Sequence, residues 1–283
     1  MSKLVFLNGK FVPEAQAVVS VCDRSFLYGD GLFEVIPIFN GKPFRWAEHL
    51  ERFAQGAEFL KIRLPFSAEA LRGFADELIE LNQMPDALLR FTLSRGVGLR
   101  GYSPKGADAP TFVMTLHSTP GSPAAVAPRF SLVTSSVRLP EGEPLAQFKN
   151  ANKLPQILAR AEADDAGAEE ALMLNTLGNV VEGTTSNLFW IERATVCTPP
   201  LASGILPGVT RAVVLELCRR LGIEISERSI TGPELKTRDG IFLSLSSWGI
   251  VEAQSLDGVS LTSSLLTEKI RRAYWELVRA ETI

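Results

Sequence analysis

The run STPGSPAAVAP at residues 118–128 constrains this chain more than any other feature. Proline has no backbone N–H to donate to a helix or a ladder, and the small residues around it offer little to bury. The cores must therefore form on either side of it. We expect a small α/β domain over residues 1–117, a linker over 118–128 and a larger domain over 129–283. A chain of 283 residues suits that division at roughly 100–200 residues per domain. With 46% hydrophobic and 22% charged residues, it can build cores without a disulfide or metal staple.

Both sides alternate strands and helices. LVFLNGKFV reads as a hairpin turning at Asn8-Gly9. Gly31 to Phe39 (GLFEVIPIF) reads as a strand, and residues 46–62 carry Leu50, Phe53, Ala57 and Leu60 at helical spacing. Ser67 is an N-cap for a second helix running to about residue 81, with Glu69 in the first turn, where a negative charge suits the helix dipole. LLRFTLSR and TFVMTLH are further strands. Beyond the linker, FSLVTSSVRL reads as a strand and residues 152–165 as a helix. EALMLNTLGNVVEGTTSNLFWIE reads as three strands joined by two turns. Residues 212–221 form a helix with Val213, Val214, Leu217 and Leu221 on one face, closed by Gly222. IFLSL is a buried strand and residues 265–280 a closing helix. The pattern is α/β or α+β, mixed in topology and not doubly wound.

Several chemistries drop out. The net charge of −3 and the lack of a basic stripe give no electrostatic case for nucleic acid. Cys22, Cys197 and Cys218 are odd in number and far apart, as reduced thiols are. The opening MSKLVFLNGKFV lacks a cleavable leader pattern, and no apolar run reaches the ~20 residues of a membrane helix. We therefore expect a cytoplasmic protein that binds no membrane. With His49 and His117 the only histidines, and no CxxC, HExxH or G-x-S-x-G, we expect neither a metal site nor a serine-hydrolase triad.

A few residues remain that can carry chemistry. Lys149, in AQFKNANKLPQ, follows an aromatic residue; an amine held in a dry place loses its proton easily and becomes a nucleophile, whereas a surface lysine would do nothing. Glu182, in NVVEGTTSNLF, follows two valines. A carboxylate among apolar residues needs a partner such as a cationic ring nitrogen, unless it is a strand-end residue facing water. In GILPGVTRAVVLEL a Pro-Gly turn leads into Val209, Thr210 and Arg211. That is either an anion site at a helix N-terminus or plain capping by Thr210. Ser246 and Ser247 end a buried strand and suit either a phosphate or an ordinary turn. Arg52 is either an anion clamp or the helical ion-pair partner of Glu48. The loop Arg95-Gly-Val-Gly-Leu-Arg100-Gly-Tyr102 offers guanidinium groups to a carboxylate, or is simply an exposed connection.

The order of these motifs is more telling than any one of them. DRSFLYGDGLFEV, EHLERF, Lys149-x-x-Asn152, EGTTSNLFWI and LPGVTR together resemble the class IV (fold type IV) aminotransferases, from about residue 8 to residue 252. The resemblance implies two domains, pyridoxal 5′-phosphate as cofactor, and exchange of an amino group between an amino acid and a 2-oxo acid. It implies that Lys149 attaches the cofactor and shuttles the substrate proton, and that Glu182 pairs with the pyridine nitrogen. By the same resemblance Arg52, Val209 and Thr210, with Ser246 and Ser247, hold the phosphate, and Ile205 packs beside the ring. It further implies a homodimer whose active site is shared across the interface.

Within the family the substrate readings diverge. Branched-chain aminotransferases usually carry tyrosine where Leu154 stands and glycine where Val35 stands. Phe33-Glu34-Val35 fits the D-amino-acid aminotransferases, whose loop supplies an arginine, matched by Arg100, and a histidine, where this chain has Tyr102. RGVGLRGYSP looks like the aminodeoxychorismate lyases, which usually have threonine at the position of Val35. From these strings we expect D-amino-acid transamination first, the lyase second and branched-chain transamination third. Phe33, Val35, Arg90, Arg100 and Tyr102 are the substrate-binding candidates.

Overall fold

The computed structural model describes residues 3–120 and 128–283; residues 121–127, most of the expected linker, lie outside the described residues. The chain divides into two compact units. One comprises the residues up to Thr119 with Phe148–Asn152 and Ala280–Ile283, and the other Pro120–Gln147 and Lys153–Arg279. The strip that carries Lys149 therefore packs with the first unit, although it lies well beyond residue 117 in sequence.

In the first unit, β1 (Leu4–Leu7), β2 (Lys10–Pro13), β3 (Gly31–Phe39), β4 (Lys42–Pro43), β5 (Ala87–Ser94) and β6 (Thr111–Ser118) form one sheet in the order β2-β1-β6-β5-β3-β4. All its pairings are antiparallel. The hairpin turns where expected, because Asn8 and Gly9 both take positive φ, as a tight two-residue turn requires. A short helix α1 (Arg24–Tyr28) precedes β3, while α2 (Trp46–Phe59) and α3 (Ala68–Asn82) follow it. Ser67 caps α3 by accepting from the Ala70 N–H at 3.2 Å. Alternate residues of β3 and β5, namely Leu32, Ile36, Leu89 and Phe91, share a core with Phe53 and Ala57 of α2 and with Leu71, Ala75 and Leu78 of α3. Phe33, Val35, Arg90 and Thr92 are only partly buried and, by the period-2 alternation of a strand, occupy the other face.

The second unit contains β7 (Arg129–Leu139), α4 (Leu154–Asp165), β8 (Glu170–Asn175), β9 (Val180–Gly183), β10 (Asn187–Glu192), β11 (Thr195–Thr198), α5 (Val209–Arg220), β12 (Ile225–Glu227), α6 (Gly232–Leu235), β13 (Gly240–Leu245), β14 (Gly249–Leu256) and β15 (Val259–Ser260); α7 (Leu265–Thr282) closes the chain. The strand order β12-β11-β10-β13-β14-β7-β8-β9 gains a pairing of β9 with β10. That pairing closes β10, β13, β14, β7, β8 and β9 into a ring. Parallel pairs (β14 with β7, β7 with β8) sit among antiparallel ones, so the topology is mixed, as the sequence implies. Strands β8 and β13 are buried along their whole length, which explains their unbroken apolar character. Helix α4 begins two residues later than the spacing suggests and α5 three residues earlier. Among the described residues no helix is long and apolar enough to cross a membrane.

Candidate active site

Lys149 does not lead directly into a helix. Its segment runs alongside the start of β3: the Phe33 N–H donates to the Lys149 carbonyl at 2.8 Å, the Ala151 N–H donates to Gly31 O at 2.9 Å, and Asn150 bridges Leu32. These backbone bonds fix where the side chain begins. Its amine then lies 4.6 Å from the centroid of the Phe33 ring. The Arg90 guanidinium, carried on β5 opposite Val35, lies 4.2 Å from the same centroid. Burial pushes the Arg90 guanidinium below its ordinary value, so it is a partly desolvated cation to which an anion would be a favourable partner. Phe33, Val35, Arg90 and Lys149 thus form one constellation.

Of the two readings of Arg52, the helical pair with Glu48 is not the one the geometry shows: Glu48 accepts from Arg45 at 3.1 Å. Arg52 grips Glu34 through Nε at 3.0 Å and Nη2 at 2.6 Å, and His49 Nδ1 lies 3.1 Å from Glu34 Oε1. Glu34 and His49 are each 1% exposed. Burial alone would raise the Glu34 carboxyl, yet the Arg52 guanidinium and the His49 hydrogen bond hold it well below the usual carboxylate range. Burial pushes His49 down, against the pull of Glu34. Helical spacing offers Glu48 to Arg52, but a fixed, buried carboxylate wins over a solvated one. Glu34 could have been found from the alternation of β3, which sets it on the core face between Leu32 and Ile36.

The trio makes stability acid-sensitive, with a definite sign. Both groups are held below their ordinary values of 6.5 for histidine and 4.5 for glutamate, so the unfolded chain binds more protons as pH falls. Stability is fully present above pH 6.5 and declines below it, more steeply below 4.5. Urea midpoints measured from about pH 7.5 to 4 should fall accordingly, and His49→Gln should flatten the upper part of that fall. A wild-type midpoint independent of pH across this range would contradict the assignment.

The loop bearing Arg100 and Tyr102 is organised by Arg24, which the sequence did not single out. Arg24 is 3% exposed. It donates to Gly101 O at 2.9 Å, Tyr102 O at 3.1 Å and Ser103 O at 3.1 Å, and to Asp30 at 2.7 Å. Arg95 is committed to Asp30 at 2.8 Å and to the carbonyls of Leu60 and Lys61, so it is a structural arginine. Arg100 is exposed and Tyr102 is 87% exposed. Gly96, Gly98 and Gly101 also match G-x-G-x-x-G, the spacing of a dinucleotide fingerprint. Here the motif joins two antiparallel strands and leads into no helix, so it lacks the strand-turn-helix context that fingerprint needs.

The other candidates gather in the second unit. Glu182 on β9 faces Asn187 on β10. Its Oε2 accepts from Asn187 Nδ2 at 3.2 Å and from the Leu206 N–H at 3.0 Å, and Asn187 also donates to Leu206 O at 2.9 Å. Ile205, fully buried, precedes this clasp. Gly208 follows it, and a Cβ there would stand 2.0 Å from Asn187 Oδ1, so only glycine fits. Gly208 is the N-cap of α5, which no side chain caps. Thr210 therefore does not cap the helix; it stands in the first turn with Val209, where the leading N–H groups have no intrahelical partner. Ser244, opposite Asn187 on β13, has a buried hydroxyl without a partner among the described residues. Ser246 and Ser247 form the turn directly after it. An uncapped helix start, a buried hydroxyl without a partner and two half-buried serines form a donor set that fits a phosphate.

Comparison with known proteins points one way. The family model Amino-transferase class IV matches residues 31–256. A Methanocaldococcus jannaschii protein, provisionally named a branched-chain-amino-acid aminotransferase, is 35% identical over 277 residues, covering 96% of each chain. The D-alanine aminotransferase of Bacillus licheniformis is 28% identical, covering 98% of each chain. Among solved structures, the branched-chain amino acid aminotransferase of Escherichia coli superposes with a TM-score of 0.92 at 26% identity, covering 100% of this chain and 97% of that one.

Proposed function

The chain belongs to the class IV aminotransferases, a family whose cofactor is pyridoxal 5′-phosphate, and from that membership we propose that it exchanges an amino group between an aliphatic amino acid and a 2-oxo acid, with Arg90 gripping the substrate carboxylate. One observation carries the substrate reading: Arg90 and Lys149 meet the same Phe33 ring. An amino acid bears its amino and carboxylate groups on one carbon, so the groups that receive them must be neighbours. Phe33 and Val35 offer an apolar wall to the side chain.

Bound pyridoxal phosphate supplies an aldehyde that takes and returns the amino group, and a ring that withdraws electrons from the substrate Cα. Lys149 holds the cofactor and moves the proton at Cα. Glu182, oriented by Asn187 Nδ2 and the Leu206 N–H, is the partner of the protonated pyridine nitrogen. The N–H groups of Val209 and Thr210 with Ser246 and Ser247 receive the phosphate, Ile205 supports the ring, and Arg52, anchored on Glu34, adds a positive charge.

We rank branched-chain substrates above the D-amino acids that the motif strings favour. The ranking rests on Arg90, which stands beside Lys149 over the same Phe33 ring and so offers a carboxylate partner within one chain, whereas Arg100 lies on an exposed loop that would need a second copy to serve a site. D-amino acids remain the second reading, supported by Phe33-Glu34-Val35. We also assign the apolar surface around this loop to a second copy of the chain. Val18, Val21, Phe26 and Leu99 are each more than 70% exposed, and Asp23 bridges Val97, which brings their two segments together; exposed apolar side chains of this kind suit a two-fold interface. Sedimentation should give a dimer.

A donor panel tests the substrate reading. D- and L-forms of valine, leucine, alanine and glutamate are offered with 2-oxoglutarate or pyruvate, and aminodeoxychorismate is offered alone. Branched-chain donors should react best. Activity with D-alanine only would establish the second reading, and pyruvate release from aminodeoxychorismate the lyase. Arg90→Lys should lower kcat/KM for carboxylated donors by about tenfold, since an ammonium cannot copy the two-pronged grip. Equal loss with a primary amine lacking a carboxylate would make Arg90 structural.

A further inference from the structure

Glu170 opens β8 with 2% of its surface exposed. A carboxylate so buried must have its lone pairs satisfied, and the six hydrogen bonds it accepts, apart from the one from its own strand, come from a single turn. Oε1 accepts from the Ala171 N–H at 3.0 Å, the Thr184 N–H at 3.0 Å and the Thr184 hydroxyl. Oε2 accepts from the Thr185 N–H at 3.3 Å, the Thr185 hydroxyl at 3.1 Å and the Ser186 hydroxyl at 3.1 Å. This is the Gly-Thr-Thr-Ser turn joining β9 to β10. It is closed by the Gly183 N–H donating to Ser186 O at 2.8 Å. A Cβ at Gly183 would stand 3.0 Å from the Glu170 carboxyl carbon and 2.3 Å from the Ser186 hydroxyl, so the turn lies tightly on the carboxylate. Immediately outside it stand Glu182 and Asn187, the facing pair of the two strands.

We propose that Glu170 is a positioning residue for Glu182: by clasping the turn between them, it fixes the separation of Glu182 and Asn187 and so the direction in which the Glu182 carboxylate points at the cofactor nitrogen. The proposal rests on the role given to Glu182 above. Glutamate suits the task because an ionised carboxylate accepts from every donor the turn presents. An amide in its place would turn an NH2 group toward N–H and O–H donors. The requirement is visible in the composition of the turn, where Thr184, Thr185 and Ser186 each direct a hydroxyl at Glu170.

The test is the 15N signal of the pyridine nitrogen in holoenzyme loaded with 15N-labelled pyridoxal phosphate, read beside cofactor affinity and steady-state rates. Glu170→Gln should still bind the cofactor. Its ring-nitrogen signal should move from the wild-type position toward that of Glu182→Gln, and kcat should fall about ten- to a hundredfold with KM little changed. Ser186→Ala, which removes one of the six bonds, should move both readouts the same way by a smaller step, and it decides the matter if Glu170→Gln does not fold. In the Glu182→Gln background the Glu170 substitution should add nothing further to the signal. A folded Glu170→Gln, or failing that Ser186→Ala, with wild-type signal and kcat would overturn the proposal. If Glu182→Gln itself leaves the signal unmoved, it is the role of Glu182 that fails.

Discussion

Lys149→Ala should bind substrate and turn none over. Two functions vanish with the amine, the covalent hold on the cofactor and the proton transfer at Cα, and positioned proton transfer alone contributes about 10²–10⁴-fold. Borohydride reduction of the wild-type holoenzyme followed by peptide mapping should place the reduced cofactor on Lys149. The serious competitor is Lys153, only four residues on, whose ammonium burial pushes below its ordinary value against the pull of Glu182. Depressed basicity makes Lys153 a capable nucleophile. The choice of Lys149 rests on its backbone ties to β3 and on its placement over Phe33 beside Arg90. Cofactor recovered on Lys153 would refute it.

Glu182→Gln should retain cofactor and lose about a hundredfold in kcat, the upper range for replacing a charge-assisted hydrogen bond by a neutral one. Two donors, Asn187 Nδ2 and the Leu206 N–H, converge on Glu182 Oε2. They fix where the carboxylate points, and a negative charge beside the ring nitrogen favours the protonated ring. An amide keeps the shape but not the charge. Near wild-type kcat with full cofactor occupancy would show that ring protonation does not depend on this residue.

What could be read in advance follows from where the information lies. The hairpin at Asn8-Gly9, the Ser67 cap and strand β3 rest on local chemistry, and each appears where the residues place it. The alternative that pairs Glu48 with Arg52 uses the spacing of one helix and leaves out the strand beneath it. That strand carries Glu34, and only the packing of α2 on β3 reveals the pair. Arg24 and Glu170 escaped notice for the same reason. Their partners lie in loops 77–79 and 14–16 residues away in sequence, where no periodicity connects them. Arg90 is one of several substrate-binding candidates that the sequence offers, and its proposed rank over Arg100 depends on a register, Val35 opposite Arg90, that sequence spacing does not specify. The sequence alone leaves Thr210 between capping and anion binding; the N-cap is Gly208, where Asn187 leaves no room for a side chain.

The central claim is that this chain moves an amino group by way of its own cofactor, and a half-reaction tests it most directly. Purified holoenzyme is mixed with an amino donor from the panel and no acceptor, and 2-oxo acid is measured against subunit concentration. One equivalent of 2-oxo acid per subunit is expected, with a bleached visible absorbance that returns when a 2-oxo acid is added. Continued product release without an acceptor, or no product from a yellow protein with any donor, would contradict it.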